Sequence, residues 1–171
     1  MTTIQLMREP GFSMTDTGNV LHESAFIHAE ARLGINIYIA PSVSVGKSFV
    51  LDGSKLFAHT RIGDDVWVGV GATLGQYVTI GDGSTVGDQA KIGSFTTTGT
   101  SVDIGIGCLI SPHVTIGDNV VIGDNVVIDN GATLEDDVVI GAGSIVGAGA
   151  VVKAGSELPN GSIVWVDESK I

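Results

Sequence analysis

Residues 114–131 read VTIGDNVVIGDNVVIDNG, two near-copies of IGDNVV followed by the start of a third. A repeat of six cannot keep one face constant on an α-helix, whose turn takes 3.6 residues. A two-residue alternation fits instead: Val120 points inward, Val121 outward and Ile122 inward, and the Gly123-Asp124 pair then turns the chain. Six residues thus make one short strand and one corner.

Working outward from this stretch, the same spacing holds from Leu56 through Ile62, Val68, Leu74 and onward to Val146 and Val152. Four residues after each of these comes a small or β-branched residue, from Thr60 and Val66 to Ala150 and Ser156. Thr98 alone places a hydroxyl in the aliphatic series, so it must find a polar partner inside or mark an irregular coil. Upstream the motif runs in another phase, through Leu21, Ile27, Leu33, Ile39 and Val45. One residue is missing between Val45 and Leu56, which puts the irregular coil near Leu51-Asp52-Gly53-Ser54.

Repetition at so short a period predicts an all-β, single-domain parallel β-helix, in which each coil buries its inner face against its neighbours. Composition agrees: 43% of residues are hydrophobic but only 5% aromatic, and 25 are Gly, so the core must be small and β-branched in turn-rich backbone. Burying each aliphatic is worth about 1.5–3 kcal/mol, enough collectively without a second layer. The expected organisation is a cap over residues 1–20, the repeat over 21–157 and a closing segment over 158–171, since solenoid ends need lids.

The net charge of −11 argues against nucleic acid and anionic membranes as partners, and against strong attraction to polyphosphates. Much of that acid falls in Gly-Asp corners, where Asp serves the backbone. The opening MTTIQLMREPGFSM has neither a basic start with an apolar run nor a membrane span, so a cytoplasmic chain without membrane insertion is expected. The single Cys108 supports neither an intrachain disulfide nor a cysteine zinc site.

The run of [LIV]-G-x-x-[small]-x units from Leu21 to Ser156 resembles the hexapeptide-repeat proteins. That resemblance implies a left-handed parallel β-helix of triangular section, about eighteen residues per coil, packed as a homotrimer. Residues eighteen apart then stack at about 4.8 Å. One corner column reads His59, Tyr77, Phe95, His113, Gly131, Gly149, and the outward column of the next wall reads Arg61, Thr79, Thr97, Thr115, Thr133, Val151. A second wall carries Leu109, Val127 and Ile145 outward and the third Val121 and Val139, apolar columns that point to subunit contact. The plain alternative is the β-propensity of Val and Ile.

The stretch LFAHTRIGDDVWVGVGATLGQYVTIGD around His59 is similar to the His-containing coil of sugar N-acetyltransferases, with one residue's difference in the spacing from His to the next Ile-Gly. Such enzymes imply acetyl-CoA as acyl donor, a small sugar-like acceptor, and a His general base, whose pKa suits proton transfer near neutrality. His59 is the first candidate and His113, in ISPHVTIG, the second. Three coils separate them, about 14 Å, so they cannot act as a touching pair. Lys153 in AVVKAG stands close to a Lys of the acyltransferases and is the candidate for the cofactor phosphate, with Lys170 the other cation near the end. His22 and His28 fall in the first coil, where solvated loop positions are the default.

The tail AVVKAGSELPNGSIVWVDESKI also resembles the closing stretch of γ-class carbonic anhydrases. Where that family supplies zinc-binding histidines, this chain has Asp124 and Asp129, with Ser111 at the remaining position by column. A serine and two aspartates do not make the nitrogen-rich set that zinc hydrolysis needs, so no metal is expected. That resemblance implies an alternative role as a trimeric scaffold or binding module.

Overall fold

After the last inward residue of each strand, the chain leaves the hydrogen-bonded ladder and an N–H loses its carbonyl partner. The Gly-Asp corners supply one. Asp82 Oδ1 accepts the N–H of Asp64 at 2.8 Å, Asp88 that of Val70 at 2.7 Å, Asp124 that of Ile106 at 2.8 Å and Asp136 that of Asp118 at 2.9 Å. Asn160 does the same for Ala142 at 2.9 Å, so an oxygen acceptor is what the corner requires, and charge is not.

A computed structural model describes residues 10–166. Among them are twenty-six short strands and no helix, wound into a parallel β-solenoid whose coils fall into three sheets. Wall A runs from Phe12–Met14 and Val20–His22 to Ile163–Val164, wall B from Phe26–Ile27 to Val151–Val152, and wall C from Arg32–Leu33 to Glu157–Leu158. Trp67 pairs with Thr85, Thr85 with Asp103 and Asp103 with Val121, a register of eighteen kept along each wall apart from one step of seventeen, at Arg32 to Phe49, Tyr38 to Lys55 and Ser44 to Arg61. The parallel coil is consistent with the left-handed winding expected. No helix among the described residues is long and apolar enough to cross a membrane.

Within residues 1–20, Phe12–Met14 pairs antiparallel with Val20–His22, adding one strand to the open edge of wall A. At the other end Leu158 pairs with Ile140 and Val164 with Val146, so regular parallel stacking persists into residues 158–166. Residues 167–171 of the expected closing segment, Lys170 included, lie outside the described residues.

The irregular coil sits one corner earlier than the sequence spacing placed it. Ser44 pairs with Arg61, a step of seventeen, whereas Phe49 pairs with Trp67 at eighteen. The missing residue therefore belongs to the corner Gly46-Lys47-Ser48, while Leu51 to Ser54 turns regularly, with Gly53 at φ 70°. The short corner closes because Ser48 still points inward, donating to Gly63 O at 2.7 Å and accepting the Val66 N–H at 2.9 Å, and because Lys47 N–H finds Asp64 Oδ1 at 2.8 Å.

The inward residues form one continuous core, with Ile39, Leu56, Leu74, Ile110, Ile128, Leu134 and Ile140 fully enclosed. Its polar members bridge coils: Thr60 Oγ1 donates to Gly75 O at 2.8 Å, and Thr96 Oγ1 donates to Ser111 O at 3.2 Å. Cys108 belongs to this set, Sγ lying 3.1 Å from Gly123 O, and burial pushes its thiol pKa up, away from reactive thiolate. Thr98, 7% exposed, meets both halves of its expectation. Its Oγ1 accepts the Gly81 N–H and donates to Gly99 O, each at 3.1 Å, and the ladder between these two strands keeps only the Thr79–Thr97 pair.

Candidate functional site at an aromatic corner

In every hexad from Gly53 to Gly161 the residue before the small inward one has a left-handed backbone, and it is Gly, Asn, Asp, Ser or Gln on two of the three corners. Those types tolerate this region or are small and polar. The corner between walls A and B departs from the rule. It carries His59, Tyr77, Phe95 and His113 at φ 61°, 57°, 62° and 60°, a conformation that costs an ordinary L-residue about 1–2 kcal/mol.

The compensation lies between the rings. His59 stacks on Tyr77 with centroids 4.5 Å apart, Tyr77 on Phe95 at 5.0 Å and Phe95 on His113 at 5.0 Å, with interplanar angles of 14°, 6° and 3°. Each such contact adds about 0.5–1.5 kcal/mol beyond burial. Because a left-handed residue at each coil projects its Cβ from the same corner, the coil spacing becomes a ring spacing. Both imidazoles are exposed, one at each end of a four-ring pile.

Beside this pile runs an open groove of about 380 Å³ along the edge of wall A. Phe57, Leu109 and Pro112 give it apolar surface, Thr73, Ser94 and Ser111 hydroxyls, and Lys91 a cation. Lys91 escaped the sequence reading, which looked for cations only in the last coils. Its signal was available: Lys55, Thr73, Lys91 and Leu109 are consecutive members of one outward column.

The structure brings His59 and His113 into one column but not into one site, since two rings separate them. Lys153 is on the far side of wall B, following Val152, and its Nζ pairs with Glu135 Oε1 at 2.8 Å. The same Glu135 accepts the Ala154 N–H at 3.0 Å, and these hydrogen bonds, Lys153 first, hold its carboxyl below the usual range. Side-chain hydrogen bonds orient His22 through Ser24 at 2.8 Å and His28 through the Glu30 N–H at 3.2 Å. Among the described residues they orient neither His59 nor His113.

The zinc-family positions serve the coil here. Asp124 holds the Ile106 N–H, and Asp129 Oδ1 lies 3.4 Å from Ser111 Oγ. Among the described residues no three of His, Cys, Asp and Glu converge to hold a metal.

Residues 59–94 and 119–154 match the family model described as bacterial transferase hexapeptide (six repeats), two blocks that together cover less than half the chain. No curated protein matches the chain in sequence. Among solved structures, UDP-N-acetylglucosamine O-acyltransferase of Moraxella catarrhalis superposes with a TM-score of 0.78 at 22% identity, covering 84% of this chain and 66% of that one. The UDP-N-acetylglucosamine acyltransferase of Francisella novicida gives 0.75 at 21%, covering 84% and 62%. The chain thus spans about two thirds of these proteins' length or less, and the likeness is one of fold. Its repeats match the transferase hexapeptide model over these two blocks, and its coils share the parallel β-solenoid fold of these solved structures.

Proposed function

We propose that the protein is an acyl-CoA-dependent O- or N-acyltransferase, with acetyl-CoA as donor and a small sugar-like molecule as acceptor. The observation that carries this reading is the placement of His59. It opens the first block matching the transferase hexapeptide model, and its ring is held by one face on Tyr77. Its ring nitrogens have no side-chain partner among the described residues, so one remains to accept a proton.

In this reading His59 takes the proton of the acceptor amine or hydroxyl as that atom attacks the thioester carbonyl. The C–S bond breaks, the acyl group passes to the acceptor, and the proton leaves with the thiol. His113 is the second candidate for the same role. The groove's apolar floor suits an acyl or pantetheine chain, with Lys91 beside it and Lys153 as the candidate for a phosphate. The protein assembles as a homotrimer, so that its open groove is closed by a neighbouring copy. The outward apolar columns Leu109 with Ile163 and Val121 with Val139, all exposed, support such contacts.

Replacing His59 by Ala tests the assignment. Acetyl-CoA-dependent transfer to a panel of amino and hydroxyl sugars should fall by about 10²–10⁴-fold, as for loss of a general base. Calorimetric acetyl-CoA affinity and oligomeric state should be unchanged. Wild-type protein that releases no heat with acetyl-CoA and transfers no acyl group would leave the scaffold reading in its place.

A further inference from the structure

The ring pile stops at His113, but the corner that builds it does not. Gly131 and Gly149 continue the column with φ 70° and 66°, close to the 62° and 60° of Phe95 and His113. The coil spacing is kept, since Gly131 N–H reaches Pro112 O at 3.2 Å and Gly149 N–H reaches Asn130 O at 2.9 Å. Among the described residues, a Cβ added at Gly131 would meet nothing within 4 Å, and one at Gly149 only Val166 Cγ2 at 3.8 Å. Among the described residues, the ring positions at these two coils are therefore open above the outer face of the His113 imidazole.

We propose that this is a stacking site for the planar heteroaromatic ring of a nucleoside. The base would lie on His113 as the next member of the pile, at the spacing that Tyr77, Phe95 and His113 already keep. Three observations select this ligand class. The rings beneath become progressively more parallel, 14°, 6° and 3°, so the terminal face is set for a flat partner. Exposed Asn130 adjoins Gly131, and Thr133 follows on the same coil, giving an amide that both donates and accepts, and a hydroxyl, at the level of a bound base. No cation stands on the column itself and the chain carries a charge of −11, which favours recognition of the ring over recognition of phosphates. Base stacking on an aromatic platform is worth about 1–3 kcal/mol and accepts any base, so purine and pyrimidine nucleosides should both bind. The site needs only the pile and is independent of acyl transfer at His59.

The test is titration of the full chain with adenosine, and separately with uridine, while the His113 ring protons are followed by NMR. Expected is a saturable upfield shift from the ring current of the base. Gly131→Phe fills the position with a ring in the same backbone conformation as Phe95 and should weaken the effect about ten-fold or more. Gly155→Phe, at an equivalent left-handed site on another corner with nothing among the described residues within 4 Å of its Cβ, should leave it intact and controls for folding. No shift with either nucleoside, or a shift that survives Gly131→Phe, overturns the proposal. So does a concentration-dependent association of wild-type protein that Gly131→Phe abolishes without any nucleoside effect, since the occupant is then a second copy of the chain. A response to nucleoside in protein that shows no acyl transfer sustains this site while removing the proposed activity.

Discussion

Tyr77 and Phe95 lie 5.0 Å apart and within 6° of parallel although both backbones are left-handed, at φ 57° and 62°. A favourable contact is thus set on an unfavourable conformation, and the two can be separated by substitution. Phe95→Ala removes the stacking and keeps the cost of the left-handed residue. Phe95→Gly removes both. The glycine variant should therefore be the more stable of the two, by about 1 kcal/mol, the reverse of the order at a regular strand position. Urea unfolding of both proteins measures this, and an alanine variant equal to or better than the glycine variant would show that the corner carries no backbone cost.

A second prediction concerns the acidic corners. Asp118 Oδ1 accepts the Thr100 N–H at 2.6 Å and the Thr100 hydroxyl at 3.1 Å. Asp118→Asn keeps an oxygen acceptor, as Asn160 does naturally, whereas Asp118→Ala does not. Both changes remove one negative charge from a chain at −11. If hydrogen bonding governs, Asn should be near wild type and Ala lower by about 0.5–1.5 kcal/mol. If relief of charge repulsion governs, the two should gain stability equally.

Thr98 offers a case where a buried hydroxyl competes with the ladder. The N–H of Gly63 reaches Ile80 O at 2.9 Å and that of Gly99 reaches Ile116 O at 2.8 Å, whereas Gly81 N–H goes to Thr98 Oγ1. In Thr98→Val the hydroxyl is gone, and the backbone carbonyl of residue 98 can take the N–H as it does in neighbouring coils. The expected result is unchanged or slightly raised stability, with slower amide exchange at Gly81. A loss of about 1–3 kcal/mol would mean that the N–H is left unpaired.

Much of this architecture was legible because the coil is local: Ile110, Ile116, Ile122 and Ile128 recur at one spacing, and one spacing fixes which residues stack. The corner column of His59, Tyr77, Phe95 and His113 could be written down from the sequence for the same reason. That its rings lie face to face could not, because this depends on each residue accepting a backbone region that its type disfavours. Location of the short corner was also hidden, since a one-residue gap between Val45 and Leu56 can be closed at either of two turns. The strand register decides between them, Ser44 pairing with Arg61 at seventeen and Phe49 with Trp67 at eighteen, and the hydrogen bonds of Ser48 and Lys47 close the shorter turn. Lys91 is legible only through its column on wall A, beside Thr73 and Leu109, and what that column does not tell is that it borders a groove.

The final prediction joins electrostatics to the proposed function. Glu135 is held below the usual carboxylate range by Lys153, so the pair contributes stability above the ordinary Glu pKa of about 4.3, and this is lost as pH falls through the lowered value. Both groups are solvent-facing, so the effect on stability is small. Glu135→Gln should flatten the acid limb of thermal stability relative to wild type, and a difference curve with no change below neutral pH would show that the pair contributes nothing. The same substitution releases Lys153. If Lys153 receives a cofactor phosphate, Glu135→Gln should tighten acetyl-CoA binding and Lys153→Gln should weaken it, both read by calorimetry at pH 7 and low salt. Opposite signs in the two variants assign the phosphate contact to Lys153. Equal affinity in both would leave Lys91, at the groove, as the cation to replace next.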